Sequence, residues 1–312
     1  MKALGKYIRI AKRKPMVIPR ALHGLFRTRF LGKRVLRGAE IAVTYQCPAR
    51  CSKCSTKSII ETDRKEMSAK AIIAAAKQVS DAGGILIDLT GGEPLLREDI
   101  VSIVNELGKL PIIVSMATTG IPLRDEVLRA LKEGGLDVLQ FGLGSPVPAK
   151  HDQDTGVQGS FQKTVESIRR ARELGMEVLI NTVVTRELLY SEGIEEMAGL
   201  AQTYEAFLSL ILPAQVGGWG KQDVRLTEED YAALKPWFAK PFITTDTETS
   251  YCRGTCPAGT EKIYVTAYGD VYTCPFIQRT YGNIGEEDIH SIVQKMHREC
   301  RYTSCVNIKK SS

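Results

Sequence analysis

The sequence predicts an α/β protein: a partial barrel of six β/α units followed by a small C-terminal module with a β-hairpin, a helix and cysteines. Short apolar runs alternate with amphipathic helical patterns from residue 40 to about 212, which is typical of a parallel sheet. Several helical patterns end at glycines, as helix C-termini often do. All eight cysteines lie in two clusters, at 47–54 and 252–305.

The expected elements follow in chain order. Strands are expected near residues 40–45, 84–90, 111–117, 137–142, 177–184 and 206–212. Helices are expected near 68–82, 97–108, 123–134, 160–174, 191–203 and 227–238. A β-hairpin of 261–267 and 271–275 is expected to turn at Tyr268-Gly269-Asp270. We therefore expect four segments: a basic amphipathic N-terminal arm (1–39), the partial barrel (40–213), a linker with a helix (214–250) and the cysteine module (251–312).

The composition is that of an ordinary folded protein, with 43% hydrophobic and 25% charged residues among 312. Such a composition excludes an intrinsically disordered chain. The sequence has no apolar run long enough to span a bilayer and no secretory signal pattern, so we expect a cytoplasmic protein. Because a reducing cytoplasm disfavours disulfides, the cysteines favour metal ligation or catalysis.

The N-terminal arm concentrates positive charge, with twelve Lys and Arg and no acidic residue in 1–38. Apolar residues between them predict short amphipathic helices broken at Pro15 and Pro19. Three interpretations stay open. The arm packs its apolar face on the body, or it makes peripheral contact with a membrane surface or an anionic or lipid-linked substrate. Nucleic-acid binding ranks last.

The first cysteine cluster, Cys47-x3-Cys51-x2-Cys54, directly follows the first expected strand. Thiolates are the usual ligands of iron-sulfur clusters, and three cysteines leave one iron of a four-iron cubane open for a reacting ligand. A structural zinc site is the alternative, but such sites normally have four ligands and no fourth is obvious nearby. The pattern therefore favours a catalytic iron-sulfur cluster.

This cysteine loop, followed by Gly91-Gly92-Glu93-Pro94 after a second strand, resembles the radical S-adenosylmethionine (SAM) superfamily. The resemblance implies that SAM chelates the open iron of a 4Fe-4S cluster, and that the Gly-Gly-Glu-Pro stretch binds its amino group. Glycines let backbone carbonyls approach a ligand closely, and Glu93 can compensate an ammonium.

Further matches extend the resemblance to loops after the later strands. They imply SAM contacts at Thr118, Gly142, Ser145 and Asn181. Three departures accompany these matches, because the family commonly has Ser and Asp in place of Gly142 and Gly144, and an aromatic residue in place of Lys53. His151 and Asp152 are candidates that we expect to be structural rather than chemical.

The second cysteine cluster resembles the auxiliary-cluster modules known as SPASM and Twitch, with Cys256, Gly269 and Cys274 at the opening spacing. The resemblance implies a second 4Fe-4S cluster. Five cysteines suffice for one fully ligated cluster and not for two, so the single-cluster form is preferred. The best ligand set is Cys252, Cys256, Cys274 and Cys305, with Cys300 interchangeable. A closed zinc site is the alternative.

By resemblance the chain is a radical SAM oxidoreductase or related modifying enzyme. It would receive an electron from a reductant such as flavodoxin or ferredoxin and use a 5'-deoxyadenosyl radical to abstract a hydrogen atom. The arm is too short for the peptide-recognition domain of many relatives, so a small-molecule, sugar or lipid-linked substrate is expected, oxidised with help from the auxiliary cluster. Three alternatives stay open: epimerisation with a free cysteine as hydrogen donor, modification of a ribosomal peptide, and a non-catalytic metal protein that binds nucleic acid.

Overall fold

The computed structural model describes residues 13–245, 251 and 256–300. Its helices are α1 (Val17–Arg29), α2 (Ala69–Asp81), α3 (Ile100–Gly108), α4 (Asp125–Glu133), α5 (Pro148–Thr155), α6 (Ser160–Glu173), α7 (Arg186–Leu189), α8 (Gly193–Thr203), α9 (Glu228–Phe238) and α10 (Ile289–Glu299). Its strands are β1 (Gly38–Thr44), β2 (Leu86–Gly91), β3 (Ile113–Thr118), β4 (Val138–Gly142), β5 (Glu177–Val183), β6 (Phe207–Ile211), β7 (Ile243–Thr244), β8 (Lys262–Val265) and β9 (Val271–Tyr272).

These strands form one sheet in the order β7-β6-β5-β4-β3-β2-β1-β8-β9. Neighbouring strands are parallel throughout except in the β8–β9 hairpin. The edge strands β7 and β9 do not meet, so the sheet is not closed into a barrel. The predicted α/β partial barrel is confirmed, and the C-terminal hairpin joins the same sheet beside β1.

The sheet separates the apolar core from an open interior whose wall carries a row of polar strand residues. One set of alternating strand residues is fully buried in the core between sheet and helices: Ile41, Ile87, Val114, Leu139, Ile180 and Leu208. The adjacent residue on each strand lines the open interior of the barrel: Glu40, Asp88, Ser115, Gln140, Asn181 and Ser209. Because successive strand residues point to opposite faces, this alternation fixes which side holds the helices and which side is free for a ligand.

The predicted strands and helices of the barrel are present at their predicted places. Sequence inspection missed β7, α5 and α7. The break expected at Pro19 is wrong: α1 begins at Val17, so Pro19 lies in the first turn. A proline there loses no helical hydrogen bond, because the first backbone N–H groups of a helix have no intrahelical partner.

Basic side chains of the N-terminal arm dock on the body of the protein. Lys14 Nζ lies 2.7 Å from a carboxylate oxygen of the buried Asp137. The Arg20 guanidinium donates to the Gly84 carbonyl at 2.9 Å, and Arg34 donates to two carbonyls at the end of α10. Carbonyls at helix C-termini attract cations. These basic side chains dock on the body, whereas large apolar side chains of α1 such as Leu22 and Phe26 are exposed. For the described part of the arm, the expected packing of its apolar face is therefore wrong.

A search of the helices within 13–245, 251 and 256–300 finds each of them too short or too polar to cross a bilayer.

Candidate active site

The three cysteines of the first cluster lie in the loop that leaves β1 at its C-terminal end. The backbone N–H of Ser52 in this loop donates to the Asp154 carbonyl in α5 at 3.1 Å. The Cys54 carbonyl accepts from the backbone N–H of Gly218 at 2.9 Å. Two separate segments thus hold the cysteine loop, at the edge of the sheet where β/α barrels carry their active sites.

Gly217 and Gly218 belong to the segment that the sequence assigns to a linker, yet they pack directly on the cysteine loop. A Cβ atom on Gly218 would lie 1.9 Å from the Ser52 carbonyl oxygen. One on Gly217, whose φ is +55°, would lie 2.2 Å from the Cys54 carbonyl oxygen. Only glycine allows this approach of two backbones. Nothing local in the sequence distinguishes this packing from an ordinary turn.

The thiols of the first cluster are partly buried and lie near one another. Burial, with smaller contributions from the charges of Glu93 and the other two thiols, raises the pKa of Cys47 to about 11. Burial also raises the pKa of Cys51, and the charge of Cys54 is the second cause of this increase. These thiols stay protonated at neutral pH unless a cation compensates them, and metal binding releases such protons.

Cys47, Cys51 and Cys54 bring three thiols together in one loop. Cysteine thiolates are the usual ligands of iron-sulfur clusters, so this donor set suits a 4Fe-4S cluster with one iron left open. Within the described residues, no group of three or more Cys, His, Asp or Glu side chains is placed to hold a single metal ion. The assignment of the three cysteines as cluster ligands stays a prediction.

The Gly-Gly-Glu-Pro loop runs beside the cysteine loop. Gly92 donates from its backbone N–H to the Thr44 carbonyl at 2.7 Å, and Glu93 to the Gln46 carbonyl at 2.8 Å. Gly91 has a φ of +132°, and a Cβ atom there would lie 2.0 Å from the Thr44 carbonyl oxygen. The glycines thus let the two loops pack side by side, as a shared ligand site between them requires.

The Glu93 carboxylate is fully buried and satisfied within the protein. One oxygen accepts from Thr118 Oγ1 at 2.8 Å and from the Leu95 N–H at 3.1 Å. The other accepts from the N–H and Oγ1 of Thr119 at 2.7 and 2.6 Å. Burial raises the pKa of Glu93, although these hydrogen bonds act to lower it. Glu93 therefore joins the loops after β2 and β3. Contacts of SAM with Gly91, Gly92, Glu93 and Pro94 stay predictions.

The other predicted SAM contacts lie at or near the same edge of the sheet. Thr118 and Gly142 end β3 and β4, and Asn181 in β5 donates through Nδ2 to Gln140 Oε1 at 2.9 Å. A Cβ atom on Gly142 would meet nothing within 4 Å, so the place of the family's serine is open space. Ser145 is buried, and its hydroxyl accepts a backbone N–H of its own turn. Their roles in SAM binding stay predictions.

Two departures from the family pattern are neighbours in space. A Cβ atom on Gly144 would lie 2.8 Å from Lys53 Nζ. Lys53 instead pairs with Asp154, with 2.8 Å between Nζ and Oδ2. The family's aspartate is absent at position 144, and Asp154 in α5 supplies a carboxylate nearby. This carboxylate pairs with Lys53, which stands where the family has an aromatic residue. The two changes form one local arrangement.

His151 and Asp152 have structural roles, as expected. The Gly144 N–H donates to His151 Nδ1 at 3.2 Å, and burial lowers the pKa of this imidazole. Asp152 accepts backbone N–H groups of Gly159 and Phe161 at 2.6 and 2.8 Å, which lowers its pKa. Both side chains fix the loops around α5 and the start of α6.

The open interior of the barrel forms a cavity of about 1430 Å³. A hydrogen-bonded row crosses its wall, in which Ser115 Oγ and Gln140 Nε2 donate to Asp88 Oδ1 at 2.5 and 2.9 Å. Burial, followed by the charge of Glu40, raises the pKa of Asp88. Lys262 from β8 pairs with Glu40. The wall therefore presents polar groups to anything that enters the cavity.

Two cysteines of the second cluster, Cys256 and Cys274, line this same cavity. Burial, with smaller contributions from the charges of Glu40 and Cys256, raises the pKa of Cys274 to about 12. The Phe276 N–H donates to Cys274 Sγ at 3.3 Å, a contact that favours a thiolate. Cys252 and Cys305 lie outside the described residues, so their part in a cluster stays a prediction.

Cys300 lies apart from the cavity lining, at the end of α10. Its side chain is buried in the core, and its thiol donates to Tyr281 Oη at 3.4 Å. Its interchange with another ligand also stays a prediction.

Comparison with known families decides what this arrangement is. The radical SAM superfamily profile matches residues 41–201, and that of SPASM, an iron-sulfur cluster-binding domain, matches residues 256–310. The chain belongs to the radical SAM superfamily. It is a radical SAM enzyme that uses a 4Fe-4S cluster and SAM, with a SPASM domain for auxiliary iron-sulfur binding.

Several known proteins are similar to this radical SAM enzyme. A PqqA peptide cyclase of Gluconobacter oxydans is 30% identical over 178 residues, which cover 57% of this chain and 49% of the relative. The chain thus spans about half the length of such curated relatives. Streptococcus suis SuiB, solved with precursor peptide SuiA, has a TM-score of 0.69 at 17% identity, covering 86% of this chain and 68% of SuiB. The structure of anSMEcpe with AdoMet and the Cp18Cys peptide has a TM-score of 0.63 at 18% identity, covering 84% and 82%.

The predicted substrate class is wrong. A small-molecule, sugar or lipid-linked substrate was expected because the arm is short, whereas these relatives are named for peptides or were solved with peptides bound. The membrane contact expected for residues 1–38 was tied to a lipid-linked substrate, and that support is lost. The basic side chains described above dock on the protein itself.

Proposed function

We propose that this radical SAM enzyme modifies a peptide. The observation that carries the proposal is the open cavity of about 1430 Å³ inside the barrel. Pockets for small ligands measure about 300–1,000 Å³ and enclose most of the ligand. This cavity is larger and open, and since Asn181, Cys256 and Cys274 line it, SAM and the auxiliary cluster would share it with a side chain presented by a longer chain. The peptides of the similar proteins support the same substrate class.

The protein's own residues would position the peptide for reaction. When bound at Cys47, Cys51 and Cys54, the cluster and SAM supply a 5'-deoxyadenosyl radical, which abstracts a hydrogen atom. Asp88 and Gln140 offer hydrogen-bond partners to a side chain in the cavity.

We propose oxidation of the peptide rather than epimerisation. An auxiliary cluster that Cys256 and Cys274 help to hold would supply an electron acceptor at the wall of the cavity. Epimerisation would need a free thiol beside the substrate, and Cys300 is instead buried against Tyr281. The proposed division of labour has the barrel (40–213) bind SAM and peptide, and the module (251–312) accept the electron.

The test is a mass change in a synthetic peptide pool incubated with reconstituted enzyme, SAM and dithionite. Wild type should remove two hydrogen atoms from some peptides and form 5'-deoxyadenosine. Cys274→Ser should retain 5'-deoxyadenosine formation with little peptide product. Incorporation of one deuterium from D2O without loss of hydrogen would indicate epimerisation instead. No peptide change of either kind would contradict the proposal.

A further inference from the structure

Helix α1 turns its large apolar residues toward solvent. Its body-facing side carries small residues such as Gly24, where a Cβ atom would lie 2.8 Å from Tyr251 Oη. The opposite side forms an apolar surface, here named the α1 stripe: Ile18, Leu22, Leu25, Phe26 and, just after the helix, Phe30. Phe30 is 76% exposed and Leu22 60%. This arrangement reverses the usual orientation of a surface helix.

The stripe is a continuous surface rather than scattered apolar residues. Residues at spacings of three and four lie on one face of a helix, and the Phe26 and Phe30 rings stack with centroids 5.3 Å apart. Among the described residues, seven of eleven exposed large hydrophobic side chains lie at positions 16–31. An exposed apolar patch of this kind marks a site of interaction.

The stripe runs into the substrate cavity. Leu25 and Phe30 belong to the stripe and also line the cavity, together with Arg29 between them. A chain bound along the stripe would therefore reach the cavity without crossing other surface. This continuity favours the peptide substrate as the occupant.

The charge around the stripe indicates which peptide fits. Residues 13–37 contain no acidic residue. Arg27, Arg29 and Lys33 are exposed near the C-terminal end of α1. A partner with apolar side chains on one face and carboxylates beside them would match both the stripe and its basic border.

We propose that the α1 stripe docks an amphipathic, acidic segment of the peptide substrate and directs the following residues into the cavity. The inference rests on the proposed peptide-modifying function. It gives the short arm a role in peptide recognition, with apolar contacts providing affinity and the basic border providing orientation.

The test measures binding of designed peptides to the full chain by fluorescence anisotropy, without SAM or reductant. The probe is a fluorescein-labelled helical peptide with Leu and Phe on one face and Glu on the other. One control peptide has the same composition with its apolar residues dispersed, and a second has Lys for Glu. The protein variants are Leu22→Gln/Phe26→Gln and Arg29→Gln, with Ile60→Gln as the matched change at an exposed apolar residue in the loop after β1.

The double variant should bind the acidic probe roughly tenfold more weakly or worse, because two large apolar contacts are lost. Arg29→Gln should weaken binding less and reduce its salt dependence, and Ile60→Gln should bind as wild type does. Urea unfolding midpoints of all variants should match wild type, since these side chains are exposed.

Three outcomes would overturn the proposal. The double variant could bind the probe as tightly as wild type, or wild type could bind the dispersed or Lys peptide equally well. Light scattering could also show a wild-type dimer that the double variant abolishes, which would assign the stripe to a second copy of the chain. Because binding is measured without turnover, its failure leaves the proposed function to its own mass-change test.

Discussion

Replacing Gly218 with alanine would place a methyl group against the backbone of the cysteine loop. The new Cβ would lie 1.9 Å from the Ser52 carbonyl oxygen. A backbone atom cannot rotate away as the end of a side chain can, so either the loop or the Gly217–Trp219 turn must shift. Such a shift would also strain the hydrogen bond from the Gly218 N–H to the Cys54 carbonyl.

The size of the effect follows from these two contacts. Overpacking a tight site costs about 1–3 kcal/mol, and a lost hydrogen bond costs about 0.5–1.5 kcal/mol. The native position of the loop would therefore be disfavoured by about 2–4 kcal/mol, a factor of about 30 or more in its population. Because the loop carries the three cysteines, cluster assembly should fail there first.

The assay is iron content after anaerobic reconstitution, together with 5'-deoxyadenosine formation from SAM and dithionite. Gly218→Ala should fall from about eight irons to about four and lose 5'-deoxyadenosine formation. Gly199→Ala is the matched control, because a Cβ on this exposed residue of α8 meets nothing within 4 Å. It should keep both properties and gain about 0.5–1 kcal/mol of stability. Iron content and 5'-deoxyadenosine formation at wild-type levels in Gly218→Ala would contradict the predicted displacement of the cysteine loop.

Three further predictions concern stability, measured by urea unfolding. Lys14→Ala should lower the free energy of unfolding by about 3 kcal/mol, because it leaves the buried Asp137 carboxylate without its cation. Asp154→Asn should lower it by about 1 kcal/mol through loss of the partly buried pair with Lys53. The free energy of unfolding of wild type should fall as the pH drops below about 6.5, because histidine binds a proton there in the unfolded chain and buried His151 does not. His151→Asn should reduce this dependence of stability on pH.

The Lys14 and His151 predictions each have a matched control. Arg13→Ala changes an exposed basic residue beside Lys14 and should alter stability little; an equal loss would contradict the ion-pair argument. His23→Asn removes an exposed histidine and should leave the acid slope in place. If it flattened that slope as much as His151→Asn, burial of His151 would not be its cause.

Much of the fold was predictable because its signals are local. Aliphatic strand residues such as Ile87 and Val114 follow from short apolar runs, and the helices between them follow from their periodicity. Helix α5 was missed because 148–155 is short and polar, and its contact with the cysteine loop comes only from the tertiary fold. The helix break predicted at Pro19 is wrong because the effect of a proline depends on where the helix begins.

The candidate site was likewise predictable only where its signals are local in the sequence. The cysteine spacing and the Gly-Gly-Glu-Pro stretch predicted the radical SAM family, since their chemistry is carried by neighbours in sequence. The roles of Gly217 and Gly218 were invisible, because the atoms that exclude a side chain there lie more than 160 residues away in the chain. The substrate class was predicted wrongly because it was argued from the length of the arm, whereas the similar proteins are named for peptides or were solved with peptides.

Anaerobic reconstitution of wild type and Cys51→Ala with iron and sulfide tests most directly where SAM is cleaved. Iron is counted, and 5'-deoxyadenosine is measured after addition of SAM and dithionite. Wild type should form 5'-deoxyadenosine, whereas the variant should keep its auxiliary iron and form none. Unchanged 5'-deoxyadenosine formation in Cys51→Ala would contradict the assignment of SAM cleavage to the loop of Cys47, Cys51 and Cys54.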